Sequence, residues 1–162
     1  MTSATADAAA ADGGLHRSDP GGLDPSVLFP FPLDDFQLEA IAALNQGHSV
    51  VVSAPTGSGK TLIGEYAIHR ALAHGQRVFY TTPLKALSNQ KLRDFREQFG
   101  AEKVGLMTGD LTANREAPIV VMTTEIFRNM LYAELDDGID PLEGVEAVVL
   151  DECHYMNDSQ RG

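Results

Sequence analysis

The chain has 162 residues, with 12 Lys and Arg against 23 Asp and Glu, and a formal net charge of −11. This length suffices for one domain with a hydrophobic core. The charge excludes a broad basic face, although backbone amides and helix N-termini can still bind a polyanion locally. A single cysteine, Cys153, excludes a disulfide framework, and no apolar run approaches the length of a membrane span. We therefore expect a protein of the reducing cytoplasm that does not enter a membrane.

The first residues of the chain differ in composition from the remainder. Residues 1–25 are rich in Ala, Gly, Asp and Pro and can bury little apolar surface, so we expect a disordered tail. Its start lacks basic residues and does not resemble a signal peptide. Residues 26–162 are expected to form one domain. It opens with the helical pattern "LDDFQLEAIAAL", for which Asp34 is a candidate cap.

Short apolar segments then alternate with helical ones. The predicted strands are "HSVVVSA", "RVFYTT", "KVGLMTG", "PIVVMTT" and "GVEAVVLDE". The predicted helices between them are "LIGEYAIHRALAHG", "PLKALSNQKLRDFREQFG" and "EIFRNMLYAEL". This alternation predicts an α/β fold in which helices cover both faces of a parallel sheet.

The segment "SAPTGSGKT" follows a predicted strand and opens a helix, which is the context of a phosphate-binding loop. Gly57 and Gly59 allow the backbone to curl so that its amides face a phosphate. Lys60 adds a positive charge, and the Thr61 hydroxyl is a candidate magnesium ligand. Position 54 departs from the usual glycine, and an ordinary Gly/Ser turn is the alternative. The predicted nucleotide-binding loop comprises Ala54, Pro55, Thr56, Gly57, Ser58, Gly59, Lys60 and Thr61.

An acidic pair, Asp151 and Glu152, follows the last apolar strand. Ligands of open α/β sheets lie at the carboxyl ends of strands, so Asp151 is expected to face magnesium near Thr61. Glu152 is expected to contribute to the metal site and to orient and deprotonate a water. Cys153 is expected to be a small buried spacer, with a reactive thiol as the alternative. His154 either couples nucleotide state to nucleic-acid state between domains or is a satisfied core histidine.

Several longer strings occur in a fixed order, namely "FPFPLDDFQLEAI", "APTGSGKT", "TTPLKALSNQK", "TGD", "MTTEIFRNMLY" and "DECHYMNDSQRG". From about residue 29 to 162 the chain resembles the first motor domain of superfamily-two DExH-box helicases. Within that group it is similar to superkiller-type RNA helicases, which feed RNA to exosome-like nucleases. The resemblance implies a RecA-like P-loop fold, ATP and Mg²⁺ as cofactors, and single-stranded RNA and an exosome-like nuclease as partners.

The resemblance also implies roles for individual residues. Gln37 matches the glutamine that reads the adenine edge, and Phe31 the aromatic that stacks on the base. Their alternative is a hydrophobic helix entry with a solvent-facing amide. The stretches matching nucleic-acid contacts are Pro83, Leu84 and Lys85, then Thr108, Gly109 and Asp110, and finally Thr123 and Thr124. The alternatives are a solvated lysine, a Thr-Gly-Asp turn and a threonine helix cap.

The family pattern continues with a Ser-Ala-Thr-like motif and a second motor domain that brings an arginine finger. We therefore expect this chain to be a fragment truncated within the first motor domain, beginning at its natural start and hydrolysing ATP negligibly by itself. One alternative is a nucleotide- and RNA-binding module without catalysis, and another is a DNA-processing helicase of the same superfamily. A transporter ATPase or a small-molecule kinase fits the sequence less well.

Overall fold

The computed structural model describes residues 3–5, 23–53, 59–138 and 140–151. The chain divides into two compact units, Met1–Arg70 and Ala71–Gly162. Among the described residues, no helix is both long and apolar enough to cross a membrane.

The elements that begin in the first unit are β1 (Ser3–Thr5), α1 (Pro25–Leu28), α2 (Asp35–Asn45), β2 (Val51–Ser53) and α3 (Lys60–Ala73). β1 pairs with β2 in an antiparallel sheet of two strands. This pairing corrects two expectations, because β2 was assigned to the parallel sheet and residues 3–5 to a disordered tail. Strand pairing joins segments distant in sequence, and composition does not reveal the partner. Residues 6–22 lie outside the described residues, so a tail there stays a prediction.

A small hydrophobic core holds the helices of this unit together. Phe29, Ile41, Leu62 and Tyr66 are buried against one another. The Tyr66 hydroxyl donates to Asn45 Oδ1 at 2.6 Å and accepts a hydrogen bond from the backbone amide of Leu23. This network connects α3 to the end of α2 and to the segment before α1, so the buried hydroxyl is hydrogen-bonded.

The second unit is built around a sheet of five strands. Its elements are β3 (Arg77–Thr82), α4 (Lys85–Phe99), a 3₁₀ turn (Ala101–Lys103), β4 (Val104–Met107), β5 (Thr112–Ala113), β6 (Ile119–Thr123), α5 (Thr124–Asp137) and β7 (Val145–Leu150). The strand order is β5-β4-β6-β3-β7. All neighbours are parallel except β4 and β5, which form a short antiparallel pair. The sequence did not predict β5.

Alternating residues of β3 show that helices cover both faces of this sheet. Phe79 joins a cluster with Val120 and Met122, against which Ile126 and other apolar residues of α5 pack. The next residue, Tyr80, points to the opposite face, because side chains of a strand alternate. Its ring meets that of Phe95 on α4 edge to face. The predicted α/β fold with helices on both faces of a parallel sheet is confirmed, and the structure adds one short antiparallel pair at its edge.

The register of the central strands brings their carboxyl ends to one edge of the sheet. Thr82 of β3 lies opposite Thr123 of β6, and Met107 of β4 lies opposite Met122. Leu150 of β7 lies opposite Thr81. The segments after these four strands therefore emerge side by side, as expected for ligand-binding loops of an open α/β sheet.

Candidate functional site

The part of the predicted phosphate loop that the structure describes lies at the start of α3. Gly59 precedes the helix with φ +86°, a left-handed conformation that favours glycine. A Cβ atom there would lie 2.5 Å from Gln37 Nε2. Lys60 and Thr61 form the first turn of α3. The positive φ is therefore the main reason for glycine at position 59, since the close neighbour is the end of a flexible side chain.

Gln37 connects the start of α2 to this glycine. Its side chain is buried, with 5% exposure. Nε2 donates to the Gly59 carbonyl at 3.0 Å, and Oε1 accepts from the Asp34 amide at 2.8 Å, as in the second half of a capping box. The solvent-facing amide considered as the alternative is wrong. An amide group retains a second N–H and a second lone pair, so these bonds leave capacity for a base edge.

Phe31 lies in the same unit with half of its surface exposed, at 52%. Its ring is tilted at 39° to that of Phe29, with centroids 6.1 Å apart. Phe29 is buried in the small core, so it supports Phe31 from one side. An exposed ring resting on a buried one is a suitable surface for stacking a planar base.

Some sequence predictions fall on parts of the chain outside the described residues. They concern the remaining loop residues and those after Asp151, namely Ala54, Pro55, Thr56, Gly57, Ser58, Glu152, Cys153 and His154. Their roles remain predictions from the sequence.

In the second unit, the predicted nucleic-acid contacts from two separate strands meet at the carboxyl edge of the sheet. Lys85 Nζ donates a hydrogen bond to Asp110 Oδ2. The two side chains are 54% and 69% exposed. The hydrogen bond from Lys85, and then its positive charge, hold the pKa of Asp110 below its ordinary value. The sequence named both residues but did not predict that they bind each other.

The threonines at this edge have local structural roles. Thr108 Oγ1 accepts from the Leu111 amide at 3.3 Å, which stabilises the turn through Gly109 and Asp110. Thr123 Oγ1 accepts from the Ile126 amide at 3.4 Å and thereby caps α5, which begins at Thr124. These bonds are the turn and the helix cap that the sequence left open as alternatives. They shape loops in which backbone groups can meet a ligand.

In the described part of the chain, the first turn of α4 begins without a side-chain cap, and its N-cap residue is Leu84. Thr82 Oγ1 donates to the Leu84 carbonyl at 2.9 Å and lies 2.7 Å from Ser88 Oγ, so the Pro83 turn is held in place. Uncapped amides at a helix N-terminus attract negative charge. Lys85 lies in the same turn and adds a cation.

Asp151 follows β7 at the same edge. Its amide donates to the Thr81 carbonyl at 2.9 Å, so the residue continues the pairing with β3. Asp151 Oδ2 accepts a hydrogen bond from the Tyr80 hydroxyl at 2.6 Å and lies 3.9 Å from Lys91 Nζ. Neither neighbour of this carboxylate was predicted from the sequence. Strand alternation places Tyr80 on one face of the sheet, but no local pattern indicates its partner.

The chain was compared with known protein families and curated proteins. A family model described as DEAD/DEAH box helicase matches residues 34–162, which is most of the chain. The chain belongs to the DEAD/DEAH box helicase family. Over 82% of its length it is 56% identical to the "Probable helicase HelY" of Mycobacterium tuberculosis, of which it spans 14%.

Two further relatives come from plants and yeast. The chain is 57% identical over 83% of its length to the chloroplastic "DExH-box ATP-dependent RNA helicase DExH15" of Arabidopsis thaliana. It is 50% identical over 86% of its length to the "Antiviral helicase SKI2" of Saccharomyces cerevisiae. It spans 12% and 10% of these two proteins. These matches confirm the family resemblance drawn from the motifs, and the parallel sheet with its helices fits a RecA-like core.

Proposed function

We propose that this helicase-family chain supplies the ATP-binding part of a motor that moves along single-stranded RNA at the expense of ATP. The observation that carries the proposal is the shared carboxyl edge of the sheet in the second unit. There the uncapped start of α4, the cation Lys85 and the carboxylate Asp151 follow neighbouring strands. One edge thus presents groups for a nucleic-acid phosphate and a group for a metal.

The nucleotide is assigned to residues of the first unit and of the loop before α3. Lys60 and the loop amides would bind the β- and γ-phosphates. Gln37 would use its remaining hydrogen-bonding capacity on adenine, and the exposed ring of Phe31 would stack on it. Gln37 is hydrogen-bonded to the Gly59 carbonyl. A movement of its side chain on contact with adenine would therefore also move the end of the phosphate loop.

Thr61 and Asp151 carry the oxygen donors that Mg²⁺ prefers, so their chemistry fits that ion. Asp151 Oδ1 has no hydrogen-bond partner among the described residues, which leaves one carboxylate oxygen for a metal. Protein sites for Mg²⁺ commonly use one or two carboxylates together with substrate phosphates. Bound Mg²⁺ neutralises charge on the transferred phosphate, and Glu152 would orient and deprotonate the attacking water.

The nucleic-acid strand is assigned to the loops after β3, β4 and β6. Hydrogen bonds there come from backbone amides, hydroxyls and Lys85, which position a backbone without reading its sequence. RNA is favoured over DNA because the chloroplastic relative from Arabidopsis thaliana is named as an RNA helicase. An exosome-like nuclease as partner and a cytoplasmic location are parts of the same proposal.

The test is binding of ATP to the purified protein by calorimetry, with and without Mg²⁺. We expect magnesium-dependent binding that is lost in Lys60→Ala and retained in Lys103→Ala, a control at an exposed lysine of the 3₁₀ turn. A fluorescent single-stranded RNA and the DNA of the same sequence then measure the second site. Equal ATP binding by the wild type and Lys60→Ala would contradict the nucleotide assignment. Tighter binding of the DNA would favour the DNA-processing alternative.

A further inference from the structure

The proposed function uses Asp151 but leaves its two side-chain neighbours without a role. Tyr80 reaches the carboxylate from β3, and Lys91 reaches it from α4. Both approach the same oxygen, Oδ2. Tyr80 and Lys91 therefore both hold Oδ2, and neither residue donates a hydrogen bond to the other carboxylate oxygen, Oδ1.

The hydroxyl of Tyr80 is fixed in place by the burial of its ring. The side chain has 1% exposure and contacts Phe95 edge to face, with centroids 4.9 Å apart and an interplanar angle of 77°. Phe95 is itself 1% exposed. A phenol held in this way cannot follow a moving partner. Its 2.6 Å bond to a carboxylate is of the short, charge-assisted kind.

Lys91 lies on the same aromatic pair. Its ammonium nitrogen is 5.8 Å from the centre of the Tyr80 ring and 5.9 Å from that of Phe95, within the range of cation–π attraction. The side chain is only 20% exposed. At 3.9 Å from Oδ2 it offers charge at the limit of an ion pair. The two rings therefore hold a positive charge beside Asp151 with little access to water.

We infer that Tyr80 and Lys91 are positioning residues that hold the Asp151 carboxylate through Oδ2 and leave Oδ1 as the oxygen that would ligate Mg²⁺. The inference rests on the proposed function. Partners that orient a metal ligand commonly change metal affinity or activity about 10–100-fold when they are mutated. The hydrogen bond from Tyr80 fixes the rotation of the carboxylate. Lys91 holds the same oxygen by its charge, and that nearby cation also limits the affinity for Mg²⁺. Neither residue needs to touch the nucleotide.

The experiment measures the Mg²⁺ concentration at half-maximal stimulation of ATP binding. Tyr80→Phe removes the hydroxyl and keeps the ring, and Tyr132→Phe makes the same change at a tyrosine with 62% exposure. We expect about a tenfold or greater rise of the Mg²⁺ midpoint in Tyr80→Phe and no rise in Tyr132→Phe. ATP affinity measured in EDTA should be equal in all three proteins, which a general loss of structure would not produce.

Lys91 supplies a second and independent pair of variants. Lys91→Met keeps an apolar stem over the rings and removes the charge. Because that charge repels Mg²⁺ and competes with it for the carboxylate, we expect the Mg²⁺ midpoint to fall several-fold. Lys91→Arg restores a cation able to lie on aromatic rings and should recover much of the change. Direct binding of Mn²⁺, followed by electron paramagnetic resonance in the presence of ATP, should give the same order of variants.

The outcomes separate this inference from the function on which it rests. If the wild type and Asp151→Asn show no difference in Mg²⁺ dependence, the metal role of Asp151 fails, and the positioning role fails with it. If Asp151→Asn raises the midpoint while Tyr80→Phe and Lys91→Met leave it unchanged, only the positioning role is overturned. A fall in ATP affinity in EDTA together with an unchanged Mg²⁺ midpoint would likewise overturn it.

Discussion

Two lysines of α4 form ion pairs in different surroundings. Lys85 and its partner Asp110 are 54% and 69% exposed, whereas Lys91 and Asp151 are each 20% exposed. Water and salt screen the first pair, so its partners can exchange at little cost. The second pair is confined by aromatic rings and a tyrosine hydroxyl. One helix thus carries a cation suited to a transient ligand and another suited to fixed geometry.

Asp110 was predicted as a nucleic-acid contact, and in the structure its carboxylate is paired with Lys85. A carboxylate does not attract a phosphate, yet it occupies the lysine that would. In the proposed function, a bound strand would displace Asp110 from Lys85, so Lys85 would bind nucleic acid more weakly than an unpaired lysine does.

The largest effect is expected for the less exposed pair, Lys91 and Asp151. Asp151→Asn should raise the Mg²⁺ midpoint for ATP binding by on the order of 100-fold, because it removes a proposed ligand and its charge. The matched substitution Asp110→Asn should leave this midpoint unchanged. Calorimetry at several Mg²⁺ concentrations measures both variants. Equal shifts of the Mg²⁺ midpoint in the two would refute the assignment of the metal to Asp151 and not to Asp110.

Protein stability should separate the two lysines next. Lys91→Met removes the cation beside a mostly buried carboxylate, so the free energy of unfolding should fall by about 1–3 kcal/mol. Lys85→Met breaks a solvent-exposed pair, so its loss of stability should be smaller than that of Lys91→Met. Urea unfolding followed by circular dichroism compares the two variants. A larger loss of stability in Lys85→Met than in Lys91→Met would show that solvent exposure does not determine how much each ion pair stabilises the fold.

Binding of single-stranded RNA should instead depend on the exposed pair, Lys85 and Asp110. Asp110→Asn frees Lys85, so affinity should rise a few-fold, and the slope of log K against log salt should steepen by about 0.7. Lys85→Met should flatten the slope by about the same amount. Fluorescence anisotropy at a series of salt concentrations gives both slopes. Weaker binding by Asp110→Asn would instead make Asp110 a direct contact.

The smallest effect concerns the titration of Asp110. Lys85 lowers the pKa of Asp110 in the folded state, chiefly through its hydrogen bond. A lowered folded pKa contributes stability above the unfolded pKa, and that stability is lost as the pH falls through the folded value. In Lys85→Met the pKa of Asp110 should return toward its ordinary value. Side-chain NMR titration of the two proteins measures this change, and identical pKa values would remove the ion pair from the account.

Much of the second unit could be predicted from the sequence because apolar strands and helices alternate there with clear boundaries. β3, β6 and β7 were predicted as strands, and α4 as a helix between Pro83 and Gly100. The partner of β2 could not be predicted, since strand pairing depends on distant residues. The hydrogen bond between Tyr80 and Asp151 could not be predicted for the same reason, because the two residues are far apart in the sequence and follow no local period.

The nucleic-acid stretches show a second limit of sequence reasoning. The motifs identified Lys85 and Asp110 as residues of one function, but a motif does not state whether its members cooperate or compete. The ion pair could be identified only from the structure, in which the loops after β3 and β4 lie at one edge of the sheet. Thr108 and Thr123 were likewise found in a turn and a helix cap.

The most direct test of the account is a magnesium titration of ATP binding with Lys85→Met and Lys91→Met measured side by side. We expect that Lys91→Met alone shifts the Mg²⁺ midpoint, to lower concentration, while Lys85→Met follows the wild type. A shift in Lys85→Met, or wild-type behaviour in both proteins, would contradict the conclusion that α4 carries one exchangeable and one fixed cation.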